Sequence, residues 1–308
     1  MALDHYVSQV HLKQFLRQSD RKLLLATRKE DLFEFTPRPK DVCRLEDGST
    51  NQFLTENRAV EDFLKEIEPA YDPCLEKIKS GKLDWASRQV FSGFLAYIQT
   101  YTPAAIRMFD PMIRMVLENT IKHLERAGEF EPFDCPLIPD WHGKSLSQLK
   151  AEGKVKLDID LKMPQAMATT QLYAIRDSLA SSDMTILRPR GNNRFLTSDF
   201  PSIILSHYQN KYAQRFLPIS PKLGIIFHTH TSMQERDNAA HKYKDIGQQA
   251  VREINDEIIR AAEKLVFSTH RFCWLRSRVR ELKNYRAENV TEQVGPMIIS
   301  QQRTVEVV

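Results

Sequence analysis

The spacing of hydrophobic residues becomes helical after roughly the first 50 residues of this 308-residue chain, which read as extended and irregular. Apolar side chains over residues 60–78 recur every three or four positions, which predicts one face of a helix. Pro69 and Pro73 lie within this stripe and predict a kink or a break into two helices. The same spacing predicts a second helix after an N-cap at Asp84 and a third over residues 103–128.

The second half of the chain shows the alternation of apolar and polar residues that is typical of half-buried strands. Residues 155–163 alternate most regularly and predict a strand that ends at Pro164. A last long helix is predicted over about residues 245–269. Further strands are predicted at residues 184–187, from residue 195, at 203–205 and over 216–227.

Helices therefore come first, a mainly antiparallel sheet follows, and a long α-helix closes the pattern. This segregation predicts an α+β fold with an N-terminal helical layer, rather than alternating β-α-β units. We expect a single domain over residues 1–285, with its helical part at about 55–130 and its sheet and closing helix at about 154–270. Residues 286–308 are predicted to form a C-terminal tail.

Composition narrows the class of protein. Hydrophobic residues make up 42% and charged residues 27% of the chain, which is typical of a globular protein. The net charge of +4 permits an anionic partner but is lower than expected of a dedicated nucleic-acid-binding domain. The four cysteines are far apart, the N-terminus lacks an apolar signal segment, and no apolar run is as long as a membrane span. We expect a soluble, cytoplasmic protein with no membrane partner.

Motifs of several common enzyme classes do not occur in the sequence. There is no Walker A loop, no Gly-x-Gly-x-x-Gly, no Gly-x-Ser-x-Gly elbow and no His-Glu-x-x-His. The common nucleotide-dependent, α/β-hydrolase and zincin mechanisms are therefore not expected. The sequence assigns no cofactor and indicates no oligomeric state.

Five short stretches of the sequence carry a resemblance that covers roughly residues 4–268. Residues 5–15 read His-Tyr-Val-Ser-Gln and then, after two positions, Leu-x-x-Phe. A helix-forming stretch over 60–75 carries an Ile-Glu pair. Residues 94–103 begin at Phe, include a Gln and end in Thr-Pro.

The fourth stretch combines Thr-Ser-Asp-Phe-Pro at residues 197–201 with Leu-Pro-Ile-Ser-Pro at 217–221, and the fifth is Asn255 before an Ala-containing segment. In this order and spacing, the five stretches resemble a bacterial family catalogued as domain of unknown function 4238. Ser8 and Phe200 stand where that family has Pro and Asn, a Tyr replaces an Arg, and the Gln lies one position out of register. The family name implies no activity.

Polar residues embedded in these motifs predict a hydrolase acting on phosphoester or nucleic-acid substrates. Four residues, His5, Glu68, Gln99 and Asp199, are predicted to meet where the helical layer joins the sheet. His5 would act as a general base or a ligand, and Asp199 would hold a metal ion or orient a water. The alternative is structural: Asp199 would cap its own backbone before a proline, and Glu68 would accept backbone donors near the prolines of its helix.

Further residues are predicted to bind a ligand: Thr197, Ser198, Asn255, Arg188 and Arg194. The two hydroxyls directly precede the predicted catalytic carboxylate, and the two arginines flank a predicted hairpin turn, where cations could bind phosphate. A turn that satisfies its own backbone, with solvated arginines beside it, accounts for the same residues.

Two other clusters are weaker. His228 and His230 would share one face of a strand, where a metal ion could take His241 as its third ligand. Exposed imidazoles in a loop account for the same residues, and we expect no metal site. A further helix is predicted after the long one. It carries two aromatic residues and a basic set: Arg271, Arg276, Arg278, Arg280 and Lys283.

That basic and aromatic helix supports a second function class, a non-catalytic intracellular binding or sensor module, for example in a bacterial conflict system. Nucleic acid or another anionic ligand is the predicted partner under either function. A solvated helix face is the structural alternative.

Overall fold

The structure, a computed structural model, describes residues 3–205, 214–228, 240–295 and 297–307. Its helices and mixed sheets confirm the predicted α+β class. The helices are α1 (Gln9–Gln14), α2 (Ala59–Lys79), α3 (Trp85–Tyr101), α4 (Pro103–Ala127), α5 (Leu146–Ala151), α6 (Lys162–Thr169), α7 (Leu172–Ala180), α8 (Gln248–Ala261) and α9 (Leu275–Leu282). The strands are β1 (Leu3–His5), β2 (Leu25–Arg28), β3 (Glu34–Phe35), β4 (Arg44–Glu46), β5 (Asp183–Pro189), β6 (Thr197–Ser198), β7 (Ile203–Ile204), β8 (Gln214–Ser220), β9 (Leu223–His228), β10 (His241–Ile246), β11 (Leu265–Ser268), β12 (Tyr285–Val294) and β13 (Met297–Glu306).

The caps that the sequence predicts for α3 and α4 are present. Asp84 accepts a hydrogen bond from the backbone of Ser87 at 2.8 Å, so it satisfies a free donor at the start of α3. The hydroxyl of Thr102 caps α4 in the same way, just before Pro103. Gly128 ends α4 with φ of 72°, a left-handed conformation that costs glycine little.

The two prolines of α2 do not break it, contrary to one of the sequence alternatives. The helix runs without interruption for 21 residues through Pro69 and Pro73. Because these prolines are four positions apart, they lie on one face of the helix, and both are exposed. The carbonyl groups that they leave unpaired are on the side of the helix that water can reach, while the opposite face packs in the core.

Two sheets form the framework of the molecule. A five-stranded sheet has the order β10-β5-β9-β8-β7, and only its β10-β5 pair is parallel. A four-stranded antiparallel sheet has the order β3-β2-β11-β6. It joins strands from the N-terminal 50 residues, which the sequence left irregular, to a strand near residue 268. The predicted mainly antiparallel sheet is thus present as two sheets.

The predicted strand at residues 155–163 is wrong. Residues 155–160 carry no strand pairing, and α6 begins at Lys162, with Pro164 in its first turn, where a proline is tolerated. The alternation of exposed and covered side chains is nevertheless present. This segment packs against α4 instead of against a strand. Arg114 of α4 donates to the carbonyl of Leu157 at 2.6 Å, which gives a backbone group of the segment a side-chain partner.

The last long helix is shorter than predicted, because α8 ends at Ala261 and residues 265–268 form β11. A helical stripe and a short apolar strand cannot be separated by periodicity alone, which explains the error. Beyond α9, where the sequence predicts a tail, β12 and β13 pair as an antiparallel hairpin. Its turn contains Gly295 with φ of 60°.

Candidate functional site

Asp199 lies at the end of β6 and accepts hydrogen bonds from the backbone of the connection between α8 and β11. Its carboxylate oxygens accept from the N–H groups of Glu263, Lys264 and Leu265 at 2.9, 2.8 and 3.1 Å. The side chain is 1% exposed, and this burial raises the pKa of Asp199 to about 6, although the three donors act in the opposite direction. The carboxylate therefore holds a turn of the backbone.

Two further buried side chains fix the same region. The ammonium group of Lys29 donates to the carbonyls of Ala262, Tyr285 and Arg260 at 2.6, 2.8 and 3.1 Å. The side chain of Asn255 accepts from the backbone of Leu196 at 2.9 Å and donates to the carbonyl of Arg194 at 3.0 Å. Asn255, predicted to bind a ligand, thus connects α8 to the chain that enters β6.

His11, six residues after His5, is the centre of a buried polar network. Its Nε2 lies 2.8 Å from the hydroxyl of Thr197, and its Nδ1 lies 3.0 Å from the hydroxyl of Tyr71. The ring stacks on Phe94 with centroids 4.8 Å apart. Burial lowers the pKa of His11 to about 3, so the imidazole is neutral at physiological pH. Thr197 is occupied in this network, and the Ser198 hydroxyl accepts from the backbone of Phe200 at 3.2 Å.

His5 and Glu68 lie near each other. His5 is on β1, and its Nε2 is buried without a hydrogen-bond partner in the part of the chain that is described. Burial, and then the charge of Arg44, lowers the pKa of His5, while Glu68 acts in the opposite direction. The carboxylate of Glu68 accepts a hydrogen bond from the hydroxyl of Ser8, the N-cap of α1.

Gln99 lies apart from these residues, beside Arg215 of β8. With its amide oxygen oriented toward Arg215, Gln99 accepts from Nη1 and Nε of the guanidinium at 2.6 and 3.2 Å. Among the described residues, no hydrogen bond joins any two of His5, Glu68, Gln99 and Asp199. Their assignment as one catalytic set stays a prediction.

The basic residues predicted from the sequence differ in their contacts. Arg188 pairs with Asp245 at 2.7 Å and lies over the ring of Tyr243. Arg278 of α9 donates two hydrogen bonds to Asp256. Within the described chain, Arg276 and Arg280 are exposed and form no ion pair, so they remain the available cations of that helix.

Arg194 lines a cavity of about 290 Å³ with three cations from the N-terminal part of the chain. We call it the cationic cavity; its lining is Lys13, Gln14, Leu16, Arg17, Gln18, Arg21, Arg194, Pro221 and Thr269. Arg17 lies 3.4 Å from the carboxylate of Asp20. For Lys13, Arg21 and Arg194, no described carboxylate lies within ion-pairing distance.

The positive charge of this cavity affects its neighbours. Burial is the largest cause that lowers the pKa of Lys222 and of His270, and the charge of Arg194 lowers both further. Thr269 lines the cavity, and its hydroxyl lies 3.0 Å from Nδ1 of His270. Sequence reasoning missed Lys13, Arg17 and Arg21, although their regular spacing of four positions was a usable signal.

The His-x-His pair of the sequence cannot be located as a group, because His230 lies outside the described residues; His228 and His241 lie on β9 and β10. Within the described ranges, no group of three or more His, Cys, Asp or Glu side chains is arranged to hold a metal ion. No helix in the same ranges is long and apolar enough to cross a bilayer.

Comparison with known proteins gives one finding at the level of the family. A family model described as "Protein of unknown function (DUF4238)" matches residues 4–272. No curated protein and no solved structure matches the chain.

Proposed function

The chain belongs to the DUF4238 family of proteins of unknown function, and for this member we propose that the cationic cavity binds a ligand through a phosphate monoester group. The observation that carries the proposal is the convergence of Lys13, Arg21 and Arg194 in one cavity without a described carboxylate partner. Three unneutralised cations in one concave site repel one another, so an anion that enters lowers their energy.

Phosphate matches this site better than a carboxylate does. A phosphate monoester carries between one and two negative charges at neutral pH and presents three acceptor oxygens. Arginine side chains bind such groups with two parallel hydrogen bonds, and a lysine adds a mobile point charge. The hydroxyl of Thr269 and the amide of Gln18 supply further neutral hydrogen-bonding groups in the lining. The volume of about 290 Å³ suits a phosphate group with a small organic portion.

The test is a titration of the whole chain with inorganic phosphate, a mononucleotide and a 5′-phosphorylated single-stranded oligonucleotide. We expect Arg194→Gln and Lys13→Gln each to weaken binding about tenfold, because each removes one charge-assisted contact. Arg252→Gln is the matched control, since Arg252 is exposed on α8 and lies outside the cavity. The three probes distinguish a free phosphate, a nucleotide and the end of a strand.

The reverse outcome would reject this site. If charge reversal at Arg276 and Arg280 abolished oligonucleotide binding while the cavity variants bound normally, the contact surface would be α9. That result would support the nucleic-acid-binding helix predicted from the sequence instead.

Hydrolysis of a phosphoester is a second candidate function, favoured by one observation. The Thr269 hydroxyl and the His270 imidazole are 3.0 Å apart at the cavity, and the lowered pKa of His270 keeps its ring neutral at pH 7. A neutral imidazole can accept a proton from a water or a hydroxyl that attacks phosphorus. If the protein is a phosphoesterase, His270→Gln should abolish release of p-nitrophenol from p-nitrophenyl phosphate without weakening phosphate binding.

The residues predicted from the sequence provide the competing test of hydrolysis. His5→Ala and Glu68→Gln are the informative variants, because these two side chains are close enough to interact electrostatically. If they abolish the release of p-nitrophenol while His270→Gln does not, the predicted set is the catalytic one. If none of the three variants changes a measured activity, neither set is catalytic.

A further inference from the structure

A second, larger cavity contains a cation with only neutral partners. It has a volume of about 530 Å³ and lies between α3, α4, α7, β8 and the β12-β13 hairpin. Its lining is Gln99, Thr100, Met108, Phe109, Met112, Ala174, Ile175, Ser178, Leu179, Arg215, Asn289 and Gln302. Six of these twelve side chains are apolar, five are neutral and polar, and Arg215 is the one ionisable group among them.

The guanidinium of Arg215 is held by two amides. Nη1 donates to the side-chain oxygen of Gln302 at 2.8 Å, and Nη1 and Nε donate to that of Gln99. Nη2 forms no hydrogen bond in the described part of the chain, and no described carboxylate pairs with the group. Burial lowers the pKa of Arg215 to about 10, which leaves it charged at neutral pH.

Arg215 is half-buried, and a charge withdrawn from water without a counter-ion is costly to a fold unless a ligand supplies the missing charge. Two glutamines orient the Arg215 fork while adding no negative charge, so the site retains its full attraction for an anion. This arrangement differs from the cationic cavity, where several cations converge and the lining is polar. One cation beside an apolar wall formed by α4 and α7 fits a monoanion with an apolar body.

We propose that this cavity binds an amphipathic monocarboxylate, whose carboxylate accepts hydrogen bonds from Arg215 and whose alkyl chain packs among Met108, Met112, Ile175 and Leu179. Nη2 is the donor still available to a carboxylate oxygen, and the negative charge of the carboxylate supplies the counter-ion that Arg215 lacks among the described residues. The volume of 530 Å³ has room for roughly 15 water-sized groups, enough for a medium-length alkyl chain.

The β12-β13 hairpin forms one wall of this cavity. Asn289 of β12 and Gln302 of β13 form one wall, and Gln302 holds Arg215 directly. Both residues lie beyond position 272, where the match to the family model ends. The ligand of this cavity therefore depends on a part of the chain outside the matched region.

The test is a titration of the whole chain with decanoate, followed by heat release or by the increase in the unfolding midpoint. We expect Arg215→Met to weaken decanoate binding at least about tenfold, because it removes the only cation of the cavity. Decanol should bind more weakly than decanoate, and the preference should disappear in this variant. If decanol binds as well as decanoate, or if the variant binds decanoate normally, the proposal is wrong.

A second variant tests the site without changing Arg215, in case Arg215→Met loses binding because it misfolds. Ala174 is exposed at the rim of the cavity, so Ala174→Trp should block entry without touching Arg215. Ala127→Trp, at the exposed end of α4, is its matched control. We expect the first to lose decanoate binding and the second to retain it; equal binding by both contradicts the proposal. Phosphate binding at the cationic cavity should be unchanged in all of these variants, which separates this site from the proposed function.

Discussion

At the scale of single residues, two buried charged side chains satisfy the backbone of one connection. Asp199 accepts three N–H groups between α8 and β11, and Lys29 donates to two carbonyls at the end of α8 and to a third at the start of β12. Backbone groups buried without partners are costly, so these two charges stabilise the turn despite their own desolvation.

Asp199→Ala should lower the free energy of unfolding by roughly 3 kcal/mol at pH 7, because it leaves three buried donors unpaired. Urea denaturation followed by circular dichroism measures the change. Asp177→Ala is the control, since Asp177 is exposed on α7 and should change stability by less than about 1 kcal/mol. A small effect of Asp199→Ala would mean that the carboxylate is not needed for the turn.

Asp199 also predicts a pH dependence. Burial raises the pKa of Asp199 from 3.8 to about 6, so between these values the folded protein holds a proton that the unfolded chain has released. The contribution of this group to the free energy of unfolding therefore falls by roughly 3 kcal/mol as the pH rises from about 4 to about 6. Comparison with Asp199→Asn at several pH values isolates it. An identical pH profile in the variant would show that Asp199 does not titrate in this range.

The sequence could identify such residues but not their partners. The sequence marks Asp199, Thr197 and Asn255 as candidates because each is a polar residue within an apolar motif, and all three are buried. Their partners lie about 60 residues away or more, which no local pattern encodes. The cationic cavity could be predicted in part, since Arg194 belongs to a basic cluster, but its neighbours come from the opposite end of the chain.

At the scale of elements, the close packing of β8 against β9 depends on one glycine. A Cβ atom on Gly224 would lie 2.3 and 2.4 Å from ring carbons of Phe216. Phe216 itself packs edge-on against Phe195, with ring centroids 5.0 Å apart, so the ring has little space to move. The absence of a side chain at this position lets the ring cover the strand.

Gly224→Ala should therefore lower the free energy of unfolding by about 2 kcal/mol through overpacking. Gly247→Ala is the matched control, because no atom lies within 4 Å of the Cβ it would add. Thermal unfolding of the two variants measures the difference. Equal midpoints would show that Phe216 can move aside.

Removal of the β12-β13 hairpin should lower the unfolding midpoint, because side chains outside the hairpin donate hydrogen bonds to its backbone carbonyls. Lys29 donates to the carbonyl of Tyr285, and Arg107 donates to that of Ala287. A chain that ends at Asn284 should also lose decanoate binding, since Gln302 is absent. An unchanged midpoint would instead support the sequence prediction that residues after 285 form a tail.

The elements themselves could be predicted where a cap or a long stripe marks them. The bounds of α3 and α4 follow from Asp84, Thr102 and Gly128, whose caps act within a few residues. The segment at residues 155–160 has the alternation of a strand but no partner, and pairing depends on distant parts of the chain. Local chemistry therefore predicted the helices better than the sheets.

At the scale of the whole molecule, the family-like stretches pack on one another. His11, Tyr71, Phe94 and Thr197 come from four of the five stretches and meet in one buried network. The sequence predicts that the same four stretches meet, but through His5, Glu68, Gln99 and Asp199 rather than through these residues. The two groups of cations described above without an ion pair lie apart from each other, one at the cationic cavity and one on α9.

This separation of charge predicts how salt affects binding of a phosphorylated single strand. Each cation that contacts a phosphate adds about 0.7 to the slope of log affinity against log salt concentration. Arg194→Gln should therefore reduce the magnitude of that slope by about 0.7, whereas Arg276→Gln should leave it unchanged. Fluorescence anisotropy over a range of salt concentrations measures both. The opposite ranking would place the strand on α9.

The pairing of β2 with β11 has a consequence during synthesis of the protein on the ribosome. Leu25 pairs with Ser268, so the N-terminal strand is synthesised about 240 residues before its partner. At translation rates of about 5 to 20 residues per second, it waits roughly 10 to 50 seconds. Throughout that time the edge that later pairs with β11 has no partner, although β3 is already present to pair with the other edge, and this free edge can associate with strands of other nascent chains. A message cut short before the codon for Ser268 would thus yield a product prone to aggregate, and slower translation would lengthen the exposure in the intact message.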